Sequence, residues 1–361
     1  MNIAIIVGTR PEIIKMAPII RFCEQENKSY FILHTGQHYD YEMDKTFFDE
    51  LELPLPKYNL EVGGLSYAEQ MGKMIAGMTR IFKDELPQAI IVQGDTNSVL
   101  AASLVANKLG VTLVHHEAGL RSGDLSMPEE KNRILTDHIS DVLFTPTNNA
   151  TKQLNIEGID NKKTFCSGNT IVDAVEQHKG LALKKSQILD QLGIKPKEYI
   201  LCTVHRSENI MDEERLEGIV NGLSLVQKQT GLPIIIPMHP HTKNKLKLFG
   251  LSLPEGIIEL EPLGYLDFLC LEMNARAVLT DSGGIQEEAC ILQVPCVTIR
   301  NNTERPETLK GNMNIIAGVY PKSIVQAVID ITEGQKKIEW SNPFGDGKSA
   351  KMIIEKLEKV L

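Results

Sequence analysis

The sequence predicts an α/β protein whose chain is shared between two open parallel sheets. Three observations carry this. Short runs rich in β-branched residues alternate with longer stretches of helical periodicity along nearly the whole chain. The strand runs, AIIVQG and PIIIPM among them, are apolar at successive positions and lack clean alternation, as strands covered on both faces do. At 361 residues the chain is longer than one hydrophobic core usually serves, so two domains are expected.

In order, the first half offers strands at Ile3–Val7, Tyr30–His34, Ala89–Gln93, Thr112–His116 and Val142–Thr145, with helical stretches such as Tyr67–Glu85 and Asn97–Leu109 between them. The second half repeats the scheme with Tyr199–Val204, Pro233–Met238, Ile257–Leu260, Ala277–Asp281 and Pro295–Ile299. The domain break is placed near Gly168–Thr170, giving domains over 1–168 and 169–346, and a polar, Lys-rich helical stretch follows it (Val172–Lys197). The segment Gly347–Leu361 reads as an amphipathic helix expected to pack back on the first domain.

Apolar residues at 42% and charged residues at 24% are an ordinary globular mix. The net charge of −9 argues against a nucleic-acid binder, which needs a basic face, but leaves room for an anionic ligand at a local site. The N-terminal apolar run is five residues long with no basic segment before it, so it reads as a buried strand and not a signal peptide. No run approaches a membrane span, so no membrane partner is expected. The six cysteines show no CxxC pair, which fits buried thiols in a reducing cytoplasm.

In open α/β sheets ligands bind outside the carboxyl ends of the strands, and polar residues collect at those ends here. After the first-half strands come Gly8–Glu12, Thr35–His38, Gly94–Asn97 and Glu117–Arg121; after those of the second half come His205-Arg206, His239–His241 and Asp281–Gly284. Seven such clusters argue for one large polar cleft.

Several of these groups suit particular chemistry. Asp281–Glu288 follows a strand and opens a helix, where first-turn N–H groups and the helix dipole favour phosphate; Glu288 would lie where it can accept from ribose hydroxyls. The same residues also suit an ordinary N-cap with tightly packed glycines. Arg10 and Lys15, beside a Pro11 that fits a first helical turn, can meet anionic oxygens or simply open a solvated helix. Asp95, Glu117, Glu129 and Glu130 form an acidic set, and carboxylates sharing a site shift one another's pKa values and so divide acid and base roles. His205, with Arg206 beside it, suits a phosphate donor or proton carrier. No GxGxxG stands in a strand–turn–helix context, and the histidines form no metal-ligand spacing, so neither a dinucleotide cofactor nor a metal is expected.

Together these blocks resemble the non-hydrolysing UDP-N-acetylglucosamine (UDP-GlcNAc) 2-epimerase family. The resemblance runs in order through GTRPEIIKMAP, TGQHY, QGDTNSVLAASLVA, HHEAGLRSGD, MPEEKNR, GNTIVDA, TVHRSEN, HPHT, LTDSGGIQEEA and RNNTERPET. It implies two Rossmann-like domains facing a deep cleft (GT-B type), a cytoplasmic homodimer, no cofactor, and UDP-N-acetylmannosamine as product. It makes Asp95, Glu117 and Glu129 the catalytic carboxylates, with Glu130 the neighbouring alternative to Glu129. It gives Arg10, Lys15 and His205 to activity or UDP binding, and Ser282, Gly283, Gly284 and Glu288 to the diphosphate and ribose. Gln37, His38, Gln70 and Arg206 fall where bacterial relatives hold a second, activating UDP-GlcNAc. The region between Gly123 and Glu129 is shorter than in many bacterial members.

The implied chemistry suits the residues. The sugar C2 hydrogen has no adjacent carbonyl, so expulsion of UDP from C1 is the simple way to acidify it. Four other readings stay open: a hydrolysing relative, a 2-epimerase of UDP-2,3-diacetamido uronic acids, a GT-B glycosyltransferase, and a nucleotide-sugar sensor. The second tends to begin GARPQ and to carry Trp in place of Arg305, whereas this chain reads GTRPE and TERPE.

Overall fold

Two wholly parallel sheets organise the chain in the computed structural model, which describes residues 1–37, 41–334 and 337–361, without the side chains of 41–45. The first sheet holds β1 (Asn2–Val7), β2 (Ser29–His34), β3 (Tyr58–Asn59), β4 (Ala89–Gln93), β5 (Thr112–His116), β6 (Val142–Thr145) and β7 (Thr164–Cys166), in spatial order 3-2-1-4-5-6-7. The second holds β8 (Ile200–Thr203), β9 (Ile234–Pro237), β10 (Ile257–Leu260), β11 (Ala277–Thr280), β12 (Cys296–Thr298) and β13 (Asn314–Ile316), in order 10-9-8-11-12-13. Both are Rossmann-like doubly wound sheets. Strand order reverses between β1 and β4 in one and between β8 and β11 in the other, and the loops leaving those strands open the crevice where such folds take ligands.

The apolar runs become strands because helices cover both faces. All of Ala89–Gln93 and Val142–Thr145 is buried, as is all of Ala277–Thr280. Helices begin where the sequence supplies start signals: a proline in the first turn at Pro11, Pro128, Pro240 and Pro321, and hydroxyl caps at Thr96 and Thr147. Each sheet has its own core. One joins Ala4, Ile6, Leu33, Met78, Ile90, Val92 and Val105; the other joins Ile200, Ile219, Leu223, Ile236, Leu279 and Val328.

The chain divides into two compact units, one formed by Met1–Glu176 with Phe344–Leu361 and the other by Gln177–Pro343. The helix Thr170–Lys185 thus starts in the first unit and ends in the second, and the boundary within it, after Glu176, lies eight residues past Gly168. Its opening turns are buried at Ile171, Val172, Ala174 and Val175 and are tied to the first unit by Thr170, whose hydroxyl meets His116 at 2.8 Å, and by Asp173, which accepts N–H bonds from Ser349 and Ala350 at 3.3 and 3.0 Å. The helix Ser349–Val360 buries Ile353, Ile354 and Leu357, packs against the helix Arg10–Gln25, and carries Glu358, which pairs with Lys28 at 2.6 Å. Among the described residues no helix is long and apolar enough to cross a membrane.

The loop after β5 turns through two left-handed residues, Glu117 (φ 67°) and Gly119 (φ 81°). A Cβ on Gly119 would stand 2.4 Å from the Ala150 carbonyl oxygen. Gly119→Ala therefore combines backbone strain with a collision, and should cost about 2–3 kcal/mol. A lowered urea midpoint for the first unit would show it.

Candidate active site

In the first unit the loops after β1, β4 and β5 each bring charged groups to the carboxyl edge of the sheet. Glu117 is 4% exposed. Its Oε1 accepts from Lys15 Nζ at 2.5 Å and from Asn169 Nδ2 at 2.5 Å, and its Oε2 accepts from the Gln93 side-chain amide. Lys15 is itself 5% exposed and projects from the helix Arg10–Gln25. A carboxylate this far from water persists as an anion only because cation and amide donors replace its hydration. The loop beyond it is braced by Asp137, which meets His115 Nδ1 at 2.6 Å, the Gly119 N–H at 3.1 Å and Arg121 at 2.7 Å. Burial alone would raise Asp137; the His115 and Arg121 partners hold it below the usual carboxylate range.

Asp95 ends the neighbouring loop and is held from the helix Pro128–Ile139. Arg133 donates to its Oδ2 from Nε at 2.9 Å and Nη2 at 2.6 Å, and Asn132 binds its backbone carbonyl at 2.9 Å. The Asp95 side chain is 28% exposed, so it faces solvent with an arginine behind it. The two adjacent glutamates differ sharply. Glu130 is buried and accepts from the Ser122 and Gly123 N–H groups at 3.0 and 2.9 Å and from Arg133 Nη1 at 2.5 Å. Glu129 is half-buried in the same first helical turn. Glu130 shapes the loop ahead of its helix, and Glu129 is the more accessible of the two.

Arg10 is half-buried, with its guanidinium 5.3 Å from the Phe47 ring centroid. Glu12, two residues on, accepts from the Gly8 N–H at 2.8 Å, Thr9 Oγ1 at 3.0 Å and Thr96 Oγ1 at 2.7 Å, tying the loop ahead of Arg10 to the loop that carries Asp95. Gln37 Oε1 accepts from the backbone and hydroxyl of Ser98 at 3.2 and 2.8 Å. Gln70 lies in the helix Tyr67–Glu85 and donates to the Leu65 carbonyl at 3.2 Å. His38 lies outside the described residues.

The second unit builds a separate group around Asp281, which is fully buried. It accepts from the backbone N–H of His205 and Arg206 at 3.1 and 2.9 Å, from Asn209 Nδ2 at 3.1 Å and from His205 Nδ1 at 3.0 Å. Burial raises its pKa, but His205 and these donors more than offset that and leave it below the ordinary value. With Nδ1 committed to Asp281, His205 presents Nε2 from a ring whose side chain is 39% exposed. Ser282 N-caps the helix Gly283–Leu292 without a side-chain capping bond, and Gly283 and Gly284 form its first turn. A Cβ on Gly283 would stand 3.6 Å from Glu304 and 3.7 Å from the Arg305 guanidinium carbon, so a cation lies beside that turn. Glu288, 6% exposed, accepts from the Tyr265 hydroxyl at 3.2 Å.

Within the first unit the fold thus ties Lys15 to Glu117 and anchors Asp95 from the helix that opens with Glu129; within the second it joins His205 to the Asp281–Gly284 loop. Reasoning from sequence passed over Asn169, Gln93, Arg133, Glu12 and Asp281 as individual residues. The signal for Arg133 was its place one turn after Glu129, and for Asp281 its place at the head of the glycine turn.

The sequence model of the UDP-N-acetylglucosamine 2-epimerase family matches residues 21–358. The chain belongs to this family. The UDP-N-acetylglucosamine 2-epimerase of Methanocaldococcus jannaschii is 49% identical over 360 residues, 98% of each chain. A crystal structure of the M. jannaschii UDP-GlcNAc 2-epimerase in complex with UDP-GlcNAc and UDP matches with a TM-score of 0.94 over 99% of this chain and 100% of that one, at 49% identity. The UDP-2,3-diacetamido-2,3-dideoxy-D-glucuronate 2-epimerase of Pseudomonas aeruginosa is 37% identical over the full length of both chains. The fold is accordingly of the GT-B type expected from the sequence.

Two buried groups beside these carboxylates titrate in opposite senses in this 2-epimerase family member. Burial raises Glu12 from 4.5 to about 7, against the Thr96, Gly8 and Thr9 hydrogen bonds. Burial also lowers His116 from 6.5 to about 4; its Nε2 lies 2.8 Å from Thr170 Oγ1 and its Nδ1 has no partner. A raised acid makes the folded state bind more protons, so Glu12 adds stability as pH falls from about 7 to 4.5. A depressed imidazole does the reverse, and His116 removes stability as pH falls from 6.5 to about 4. Each effect is on the order of 3 kcal/mol, and they largely cancel where they overlap. Glu12→Gln should therefore lose stability more steeply than wild type on acidification, and His116→Gln less steeply. Urea unfolding at pH 5, 6 and 7 measures both slopes, and parallel slopes in all three proteins would refute the assignment.

Proposed function

We propose that the chain interconverts UDP-GlcNAc and UDP-N-acetylmannosamine by reversible elimination and re-addition of UDP. The observation that carries the reading is the pair Asp95 and Glu117, two carboxylates at the ends of neighbouring parallel strands with separate cationic partners, Arg133 and Lys15. Inversion at C2 takes a proton from one face and returns one to the other, so it needs proton-transfer groups in unlike settings. Glu117 is nearly enclosed and Asp95 partly open, with Glu129 a third carboxyl in the same unit.

In the forward direction the C1–O bond to the diphosphate breaks and the C2 proton passes to a carboxylate. The C1=C2 double bond then forms, giving 2-acetamidoglucal and UDP. A protonated carboxyl next delivers a proton to the opposite face of C2 while a diphosphate oxygen re-forms the bond to C1. The leaving diphosphate needs donors that strengthen as its charge develops. Those assigned here are Arg10, His205 through Nε2, and the N–H groups of Ser282, Gly283 and Gly284. Glu288 is assigned the ribose hydroxyls.

The 49% identity to a named UDP-GlcNAc 2-epimerase, against 37% to the diacetamido-glucuronate enzyme, favours UDP-GlcNAc as substrate. On the same reading the enzyme works as a cytoplasmic homodimer. Gln37, His38, Gln70 and Arg206 keep their assignment to an activating second UDP-GlcNAc.

Asp95→Asn, Glu117→Gln and Glu129→Gln should each lower kcat by about 100-fold or more, with the unfolding midpoint near wild type in the Asp95 and Glu129 variants and lowered in Glu117→Gln, which strips the buried Lys15 of its counter-ion; near-normal rates in all three would discard the carboxylate assignment. NMR of UDP-GlcNAc turned over in deuterated buffer should show deuterium at C2 of an intact UDP-sugar. Inversion without solvent exchange, or release of free sugar as the main product, would sink the elimination route.

A further inference from the structure

A residue outside the acidic set holds one oxygen of Glu117. Asn169 is fully buried just after the edge strand β7, immediately before the helix Thr170–Lys185. Its side-chain carbonyl accepts from the Ile171 backbone N–H at 3.1 Å, which leaves the NH2 end to face the carboxylate. That NH2 donates to Glu117 Oε1 at 2.5 Å, the same oxygen that Lys15 approaches at 2.5 Å.

The backbone of Asn169 is fixed from another direction. Its N–H donates at 2.7 Å to the carbonyl of Phe344, the residue at which the chain re-enters the first unit. The preceding Gly168 has φ 77°, and a Cβ there would stand 2.6 Å from the same Phe344 oxygen. One buried residue therefore joins Glu117 through its side chain and the returning segment through its main chain.

We propose that Asn169 is a positioning residue for Glu117, and that the Phe344 segment sets where its amide stands. This rests on the role given to Glu117 above. An amide bonded to the carboxylate favours the anion and fixes the oxygen it holds, so its loss costs rate and not substrate binding.

The test compares wild type, Asn169→Ala, Asn169→Asp, Gly168→Ala and Glu117→Gln in steady-state kinetics across pH, with melting temperatures alongside. Asn169→Ala should lower kcat about 10- to 100-fold with KM within about threefold. The limb of the kcat profile that reports Glu117 should move to higher pH. Asn169→Asp, which puts a second carboxyl against Glu117, should move it further. Gly168→Ala keeps the amide but displaces it from Phe344, and should reproduce the shift. An unmoved profile in the Asn169 variants, or a kcat loss that merely tracks lower melting temperature, overturns the inference. If Glu117→Gln is inactive while the Asn169 variants keep the wild-type profile, this inference alone falls. If Glu117→Gln turns over normally, the carboxylate assignment falls and takes this inference with it.

Discussion

The first unit is arranged around one buried anion. Glu117 carries its charge at 4% exposure, and its donors come from distant parts of the chain: Lys15 from the helix after β1, Gln93 from the end of β4, and Asn169 from beyond β7. Such a charge is costly unless paired and hydrogen-bonded, and removing one partner costs more than the pair contributes. The demand on these elements is therefore joint. The left-handed backbone of Glu117, braced by Asp137 beneath the loop, turns the side chain toward the place where the three donors meet.

The second unit meets the same topological opportunity with different chemistry. Its buried anion, Asp281, collects backbone and side-chain donors at the reversal of strand order and spends one lone-pair direction on His205. The effect is to orient an imidazole, leaving the N–H groups of the following turn for another ligand. One unit thus shelters a carboxylate and the other aims a donor, although both have the doubly wound plan.

Interior strands were legible in the sequence because burial on both faces demands unbroken apolar runs; Ala89–Gln93, Thr112–His116 and Val142–Thr145 match residue for residue. The unpredicted strands β3, β7 and β13 are two or three residues long, and all lie at sheet edges where that demand relaxes. Missing β7 had a consequence for the site. Without a strand before it, Gly168–Thr170 reads as a domain break, whereas Asn169 and Thr170 bond to Glu117 and His116. Asp281 had no role of its own in the sequence reading, where it only heads the glycine turn, but its bonds make it the partner of His205. Which of two carboxylates an arginine holds, as Arg133 holds both Asp95 and Glu130, depends on helix rotation that spacing alone does not give.

The first unit is assembled from two stretches of chain with the whole second unit between them. During synthesis the helix Arg10–Gln25 emerges well before the second unit, yet the helix Ser349–Val360 that packs against it emerges only after that unit. The nascent chain must therefore hold an unfinished first unit, with apolar surface uncovered, while the second is already able to close. Loss of the helix Ser349–Val360 would strip cover from the helix that carries Lys15, so damage there reaches the buried anion from behind.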